Sequence, residues 1–358
     1  MGRICIAAGG TGGHVFPALS VAKALIEKGH SVLWLGSQRG IENRLIPTEN
    51  IPLYTLDMRP FRYQGIKRWL TLPYTLTKAQ WQAYHWLSHH KSECVLAMGG
   101  YVAAPVGMAA IMMRTPLIVH EQNTCSGMTN RILSKCASEV LCGFDNHNLK
   151  NKDVKVTGNP LMSYPKECRT QSHTPLRVLV IGGSQGSRAL NTILPGCFSK
   201  LAEGAIEIWH QCGNNRLDET KKAYQSLPCK VNVSEFIQPM SEAYDWCDCV
   251  VSRSGAMTVS EVSAHGKPAV FIPFPQAVDD HQTCNAEWLV NHKAAWICPE
   301  DKLSTTSIIQ DFLSQLINDP DCYASMASAS YELSYYNATQ LVVDECEKYL
   351  SKEDEYSR

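Results

Sequence analysis

Two stretches of this chain share one design. Ile4 to Ala8 is an uninterrupted apolar run that passes into Gly9-Gly10-Thr11-Gly12-Gly13-His14 and then a helix-patterned segment, Val15 to Lys28. Arg177 to Ile181 passes in the same way into Gly182-Gly183-Ser184-Gln185-Gly186-Ser187. A short run that is apolar on both faces reads as a buried strand of a parallel sheet. A glycine loop between such a strand and a helix lets backbone amides wrap an anion, usually phosphate. Pro17 is tolerated in the first helical turn and Gly29 ends that helix. The return of the pattern predicts two similar α/β halves facing each other.

At 358 residues the chain has room for two domains. Residues 163–176, with Pro165, Pro175 and scattered polar side chains, read as the linker. The expected division is 1–162, 163–340 and a C-terminal helix and tail over 341–358. The net charge of −1 divides into +8 for residues 1–165 and −9 for 166–358. A neutral total gives no reason to expect nucleic acid, whereas a basic first half suits an anionic membrane surface or a phosphorylated substrate. The 15 cysteines form no CxxC pair or zinc-spaced cluster and read as reduced, cytosolic thiols. The chain opens directly on a strand, with no signal-peptide pattern. Cys94 to Met113 is free of charge and long enough to span a bilayer, but Gly99-Gly100 and Pro105 divide it into a strand and a short helix.

A further strand–helix corner lies at Arg253 to Glu261, RSGAMTVSE. Its helix start offers unpaired N–H groups to an anion, and Glu261, about two turns in, can reach the paired hydroxyls of a sugar. Gly99-Gly100-Tyr101 and His120-Glu121-Gln122-Asn123 also follow predicted strands, so these tips converge with the Gly9 loop on one crevice. His14 reads either as a locally bonded helix-start histidine or as a general base beside bound phosphate. The first loop lacks GK[ST] and GxGxxG spacing, and the strand Val32 to Leu35 ends without an acid for an NAD ribose; Arg39 leaves an NADP reading open. Asp279-Asp280-His281 reads as a solvated loop or a sugar contact more readily than as a metal site. Between Asp57 and Glu93 there is no acid, but six lysines and arginines and seven aromatics, among them Lys67, Arg68, Trp69 and Trp86. The stripe Leu72, Leu76, Ala79, Ala83, Leu87 would face the core. The basic, aromatic 59–87 segment then reads either as a membrane-interface surface or as a helix packed under a neighbouring loop.

GGTGGH, MGGYVAAP, HEQN, GNP, GGSQGS, SGAMTVSE and DDHQ…NA occur in this order across nearly the whole chain. Together they resemble the bacterial N-acetylglucosaminyltransferases of peptidoglycan synthesis, within glycosyltransferase family 28. The resemblance implies a GT-B fold, two Rossmann-like doubly wound parallel-sheet domains facing across a cleft. It implies inverting transfer of GlcNAc from UDP-GlcNAc to the MurNAc 4-hydroxyl of the undecaprenyl-linked acceptor lipid I, giving lipid II. It also implies no cofactor or required metal, peripheral attachment to the cytoplasmic face of the inner membrane, and partners among cell-wall synthesis proteins. Carried over by motif, Thr11, Gly12, Gly13, Asn123, Ser184, Ile237, Ala256, Met257, Thr258, Val259, Ser260, Glu261 and Gln282 would bind UDP-GlcNAc. His14 or Glu121 would be the base, and Gly10, Gly99, Gly100 and Tyr101 would face the acceptor diphosphate. Met162 stands where the family commonly has an arginine, so that cationic contact is either missing or supplied elsewhere, with Arg188 and Arg253 as the candidates. A UDP-GlcNAc 2-epimerase on the same architecture is the alternative.

Overall fold

The computed structural model describes residues 1–58, 66–144, 149, 153–165, 167–183, 186–277, 280–305 and 307–351, with backbone alone for 66–72. The chain divides into two compact units, Met1–Met162 with Asn337–Arg358, and Ser163–Tyr336.

The first unit contains β1 (Arg3–Ala7), β2 (Ser31–Ser37), β3 (Leu53–Leu56), β4 (Cys94–Ala97), β5 (Leu117–Glu121), β6 (Glu139–Cys142) and β7 (Val154–Val156). Among the described residues they form a seven-stranded sheet in the order β3-β2-β1-β4-β5-β6-β7, and every pairing is parallel. The second unit contains β8 (Leu176–Ile181), β9 (Ile206–Gln211), β10 (Lys230–Ser234), β11 (Cys249–Ser252), β12 (Ala269–Phe271) and β13 (Ala295–Ile297). Their order is β10-β9-β8-β11-β12-β13, again parallel throughout. In both sheets the chain starts in the middle, winds outward one way, then returns and winds outward the other way. That is the doubly wound Rossmann arrangement, and its direction reverses between β1 and β4 and between β8 and β11.

Strand periodicity explains why one sheet supports two cores. Cys5 and Ala7 face one apolar cluster; Ile4, Ile6 and Ala8 face the other. Helices cover both faces, so β4 and β5 are buried at every position. The helix Ala338–Glu347 contributes Val342, Val343 and Cys346 to the first unit's core. Lys28 and His30 hold Glu347, at 2.7 and 3.1 Å, and Lys155 reaches Glu345 at 2.9 Å. The helix Ala338–Glu347 therefore packs on the unit that holds β1.

The uncharged stretch Cys94–Met113 is β4, a glycine turn and the helix Ala103–Met113. Among the described residues no helix is long and apolar enough to cross a membrane. All fifteen cysteines are free thiols. Burial pushes Cys94 and Cys247 up to about 12, which leaves them as inert core groups.

Candidate active site

A doubly wound sheet presents ligands with the crevice beyond the carboxyl ends of its strands, where the winding reverses. In the first unit that place is formed by the Gly9–His14 loop after β1, Gly99–Tyr101 after β4, and the tip of β5. Gly99 and Gly100 sit at φ +98° and +78°, and they have to be small as well as left-handed. A Cβ at Gly99 would lie 2.8 Å from His14 Nδ1, and one at Gly100 would lie 2.5 Å from the Gly9 carbonyl oxygen. The two glycine loops are thus pressed together with the His14 ring between them.

His14 Nδ1 lies 3.0 Å from Gln122 Oε1. Behind it, Gln122 Nε2 is 3.0 Å from His120 Nδ1, and His120 Nε2 is 3.1 Å from the Gly158 carbonyl oxygen. His120 is wholly buried, and burial lowers it to about 4, so its ring is neutral. Glu121 points elsewhere. One of its carboxylate oxygens accepts from the Asn123 backbone and side chain at 3.0 and 3.1 Å, the other from the Gly127 amide and Asn130 Nδ2 at 3.1 and 2.9 Å. Four donors saturate this buried carboxylate and make it the staple of the loop after β5; they also turn Asn123's donors inward.

The Gly9 loop also holds an acid. Glu42 is fully buried and accepts from the Gly10 amide at 3.0 Å and from the Ser37 amide and hydroxyl at 2.8 and 2.6 Å. The sequence had shown no acid at the end of the second strand; it lies five residues past Ser37 and folds back. The Gly10 amide is therefore engaged, and Tyr101 lies under Gly10 with its phenol hydrogen-bonded to Ser37. Thr11 caps the helix Gly12–Glu27 without a side-chain bond, so its hydroxyl and the amides of Gly12 and Gly13 remain at an uncapped start.

In the second unit the reversal lies between the Gly182 loop and the helix Ala256–Ala264. Gly255 precedes that helix in an extended conformation, and no side chain caps it. The first turn leaves the amides of Ala256, Met257 and Thr258 without helical partners, at the positive end of the dipole. Val259 is different: its side chain is buried and its amide bonds to Gly255 at 3.0 Å. Ser254 lies just before this start, fully buried, and its hydroxyl has no partner among the described residues. Glu261 receives the Tyr244 hydroxyl at 2.9 Å; burial nonetheless pushes its carboxyl up to about 7, with the hydrogen bond opposing. Ile237 is buried just beyond β10. Gln282 accepts the Phe274 amide at 2.9 Å, which engages its oxygen and fixes the amide's orientation.

Two expected contacts change meaning. Arg253 is not a spare cation: it donates to the Ile272 and Pro273 carbonyls at 3.0 and 3.1 Å and to Ser187 Oγ at 2.8 Å, and it pairs with Glu300. Arg188 stays exposed at the start of its helix, and Met162 meets Ser20 Oγ at 3.1 Å. Ser184, Gln185 and Asp279, and the side chains of Lys67, Arg68 and Trp69, lie outside the described residues. Asp280 accepts from Thr283 at 2.7 Å, and among the described residues no group of three His, Cys, Asp or Glu side chains is placed to hold a metal ion.

The glycosyltransferase family 28 N-terminal domain matches residues 4–142, and the family's C-terminal domain matches 177–352. The chain belongs to glycosyltransferase family 28. Among family 28 relatives, a UDP-N-acetylglucosamine--N-acetylmuramyl-(pentapeptide) pyrophosphoryl-undecaprenol N-acetylglucosamine transferase of Shewanella denitrificans is 41% identical over 352 residues, covering 96% of each chain. The crystal structure of Acinetobacter baumannii MurG superposes with a TM-score of 0.81 at 36% identity, over 97% of this chain and 100% of that one. A Neisseria meningitidis UDP-GlcNAc 2-epimerase bound to UDP-GlcNAc is similar in fold, with a TM-score of 0.69 at 15% identity over 97% and 100% of the chains. The family 28 fold is GT-B, as the two parallel sheets display.

Proposed function

We propose that this chain transfers GlcNAc from UDP-GlcNAc to the MurNAc 4-hydroxyl of undecaprenyl-diphospho-MurNAc-pentapeptide, giving lipid II and UDP. The observation that carries this reading is end-to-end identity with a relative of that name, in a chain that keeps an imidazole at one sheet reversal and an uncapped helix start at the other. The second unit holds the donor. The amides of Ala256, Met257 and Thr258, with Ser184, take the diphosphate; Glu261 takes ribose hydroxyls, Ile237 lines the uracil pocket, and Gln282 reads GlcNAc. In the first unit Thr11, Gly12, Gly13 and Asn123 approach the donor, and Gly99 and Gly100 face the acceptor diphosphate. His14 is the base and Glu121 a structural anchor, because its four bonds leave no lone pair aimed at an acceptor.

The chemistry follows from these placements. His14 takes the acceptor hydroxyl proton as that oxygen attacks the anomeric carbon from the face opposite UDP. The bond to the β-phosphate oxygen breaks and its electron pair stays on UDP. The amides at the helix start meet the charge that develops there, without reorganising at the moment of reaction. The test supplies UDP-GlcNAc with and without a lipid I analogue: UDP release confined to the acceptor-containing reaction supports transfer. Consumption of UDP-GlcNAc alone, with ManNAc formed, would instead establish the epimerase.

The acceptor's lipid places the enzyme on the cytoplasmic face of the inner membrane. Tyr74 and Trp81 are 73% and 71% exposed on the helix Ile66–His89. Met112 and Ile132, on the helices Ala103–Met113 and Met128–Leu133 that pack in succession beside it, are exposed as well, and the exposed Arg114, Arg131 and Lys135 lie close to them in sequence. Exposed apolar side chains with cations on the same segments suit an anionic bilayer surface. Double substitution of Trp81 and Met112 by Glu is expected to abolish co-sedimentation with anionic vesicles while UDP-GlcNAc binding persists; unchanged co-sedimentation would refute the assignment.

A further inference from the structure

The relay behind His14 has a direction, and that direction starts at a group that cannot change. The Gly158 carbonyl oxygen only accepts, so the proton between it and His120 belongs to His120 Nε2, at 3.1 Å. His120 is wholly buried and, at about 4, neutral, so it carries one proton and its Nδ1 is a lone pair. Gln122 must meet that lone pair with its NH₂, at 3.0 Å; the same NH₂ also reaches the His120 carbonyl at 3.2 Å. A flipped amide would set Oε1 against two acceptors at once. Gln122 is 1% exposed, and Asn159 Nδ2 holds its backbone carbonyl at 3.0 Å, so the residue has no other way to turn. Its Oε1 is left facing His14 Nδ1 at 3.0 Å, and an oxygen there calls for a proton on Nδ1.

We infer that Gln122 is a positioning residue for proton transfer: the ordered bonds from Gly158 through His120 and Gln122 hold neutral His14 as the Nδ1–H tautomer, with the Nε2 lone pair open to the acceptor hydroxyl. Nε2 has no partner among the described residues. The ring is also fixed sideways, since it fills the space that a Cβ at Gly99 would need. After His14 takes a proton at Nε2, Nδ1–H still donates to Gln122, so the relay need not rearrange during the reaction. Where other histidine bases are oriented by a carboxylate, here a neutral amide sets the tautomer without placing a charge beside the ring.

The inference rests on His14 being the base, and the experiment separates the two. Gln122→Met keeps the side chain's length and removes its hydrogen bonds to His14, to His120 Nδ1 and to the His120 carbonyl. In the full-length protein with UDP-GlcNAc and a lipid I analogue, kcat is expected to fall at least about 10-fold, and by up to about 10⁴-fold if the wrong tautomer dominates as when a catalytic histidine loses its orienting carboxylate, with KM for UDP-GlcNAc unchanged. Gln122→Glu still accepts from His14 Nδ1–H and should recover much of that loss, which a purely structural defect would not allow. ¹⁵N shifts of His14 in the wild type should report Nδ1–H, and in Gln122→Met a mixture dominated by Nε2–H. Wild-type protein with Nε2–H, or Gln122→Met with kcat within about twofold of wild type, would overturn the inference. If Gln122→Met does not fold, the wild-type tautomer and the Gln122→Glu kinetics decide. Turnover surviving in His14→Ala would remove the base reading, while the tautomer measurement would still judge the relay.

Discussion

Both units of this protein back a glycine loop with a buried histidine, and the two histidines are wired to opposite ends. In the first unit the chain of bonds begins at a backbone carbonyl and emerges at His14, a half-buried ring with an open nitrogen. In the second, His210 lies between Tyr224 OH at 2.8 Å and Asn191 Oδ1 at 3.0 Å, and Asn191 Nδ2 ends the chain on the Cys212 carbonyl at 2.9 Å. That carbonyl lies 2.2 Å from where a Cβ at Gly186 would be, so the network props up the second glycine loop from behind. One network ends on an imidazole with an open nitrogen at the reversal point of its sheet; the other closes on backbone and sets loop shape. The groups under the loops differ in the same sense. A buried acid, Glu42, takes the Gly10 amide, whereas a half-buried cation, Arg253, paired with Glu300, holds Ser187. On the proposed function, the same fold would give one unit for chemistry and one for gripping an anion.

The largest expected effect falls on that division. His14→Ala should lower kcat by about 10²–10⁴-fold, the usual contribution of a general base, and leave UDP-GlcNAc affinity near wild type. Asn191→Ala, cutting the other network, should act in the opposite column. It orphans the His210 Nε2–H and the Cys212 carbonyl, which costs about 1–3 kcal/mol in a urea melt, and the loosened loop raises KM for UDP-GlcNAc more than it lowers kcat. Equal kcat losses for the two variants would erase the distinction between the units.

Acid should expose what the units have in common. Burial lowers His120 to about 4 and His210 to about 3 from an ordinary value near 6.5. Below about pH 6.5 the unfolded chain takes up protons that the folded state refuses, so stability falls as pH drops from there toward the folded values. Between pH 6.5 and 4 each unit forfeits roughly 3 kcal/mol, at about 1.4 kcal/mol per pH unit, and the loss from His210 continues down to about pH 3. His210→Gln keeps polar atoms in place and removes one titration, so its stability should fall less steeply with acid. A pH–stability slope identical to wild type between pH 6.5 and 4 would show that His210 is protonated as readily folded as unfolded.

The sequence carried the architecture because its signals were local. Strand, glycine loop and helix stand side by side at 4–28 and again from 177, and HEQN places four polar side chains at one strand tip. What stayed hidden depends on direction or on return. Nothing in HEQN says that Glu121 turns inward to Asn123, Gly127 and Asn130 while Gln122 turns toward His14; alternation along a strand separates the two faces, but the partners come from elsewhere in the chain. Glu42 was invisible as a partner of Gly10 because it comes from a short helix beyond β2, not from the strand's end. Arg253 looked like an available cation until the Ile272 and Pro273 carbonyls and Glu300, up to 47 residues on, were in place around it.

The smallest expected effect sharpens the reading of the second unit as the one that grips. Glu261 sits at about 7, raised from 4.5 by burial, with the Tyr244 hydroxyl opposing. A raised carboxyl is more protonated folded than unfolded, so its contribution to stability is lost as pH climbs from about 4.5 to about 7 and stays lost above. Glu261→Gln removes that penalty and should stabilise the ligand-free protein at pH 8 by on the order of 1 kcal/mol, since the partly open rim of the group damps the shift. At pH 5, where Glu261 is protonated in the folded state and the pH has barely passed the unfolded carboxyl's value of 4.5, the gain should shrink to about a quarter of that at pH 8. The same change should weaken UDP-GlcNAc binding at pH 8, because an amide oxygen is a poorer acceptor for two ribose hydroxyls than a carboxylate. A residue kept at a cost to the empty fold and repaid by ligand is one whose place is set by binding. If Glu261→Gln neither stabilises the empty protein nor weakens the complex, the carboxylate belongs to the scaffold, as Glu121 does in the other unit.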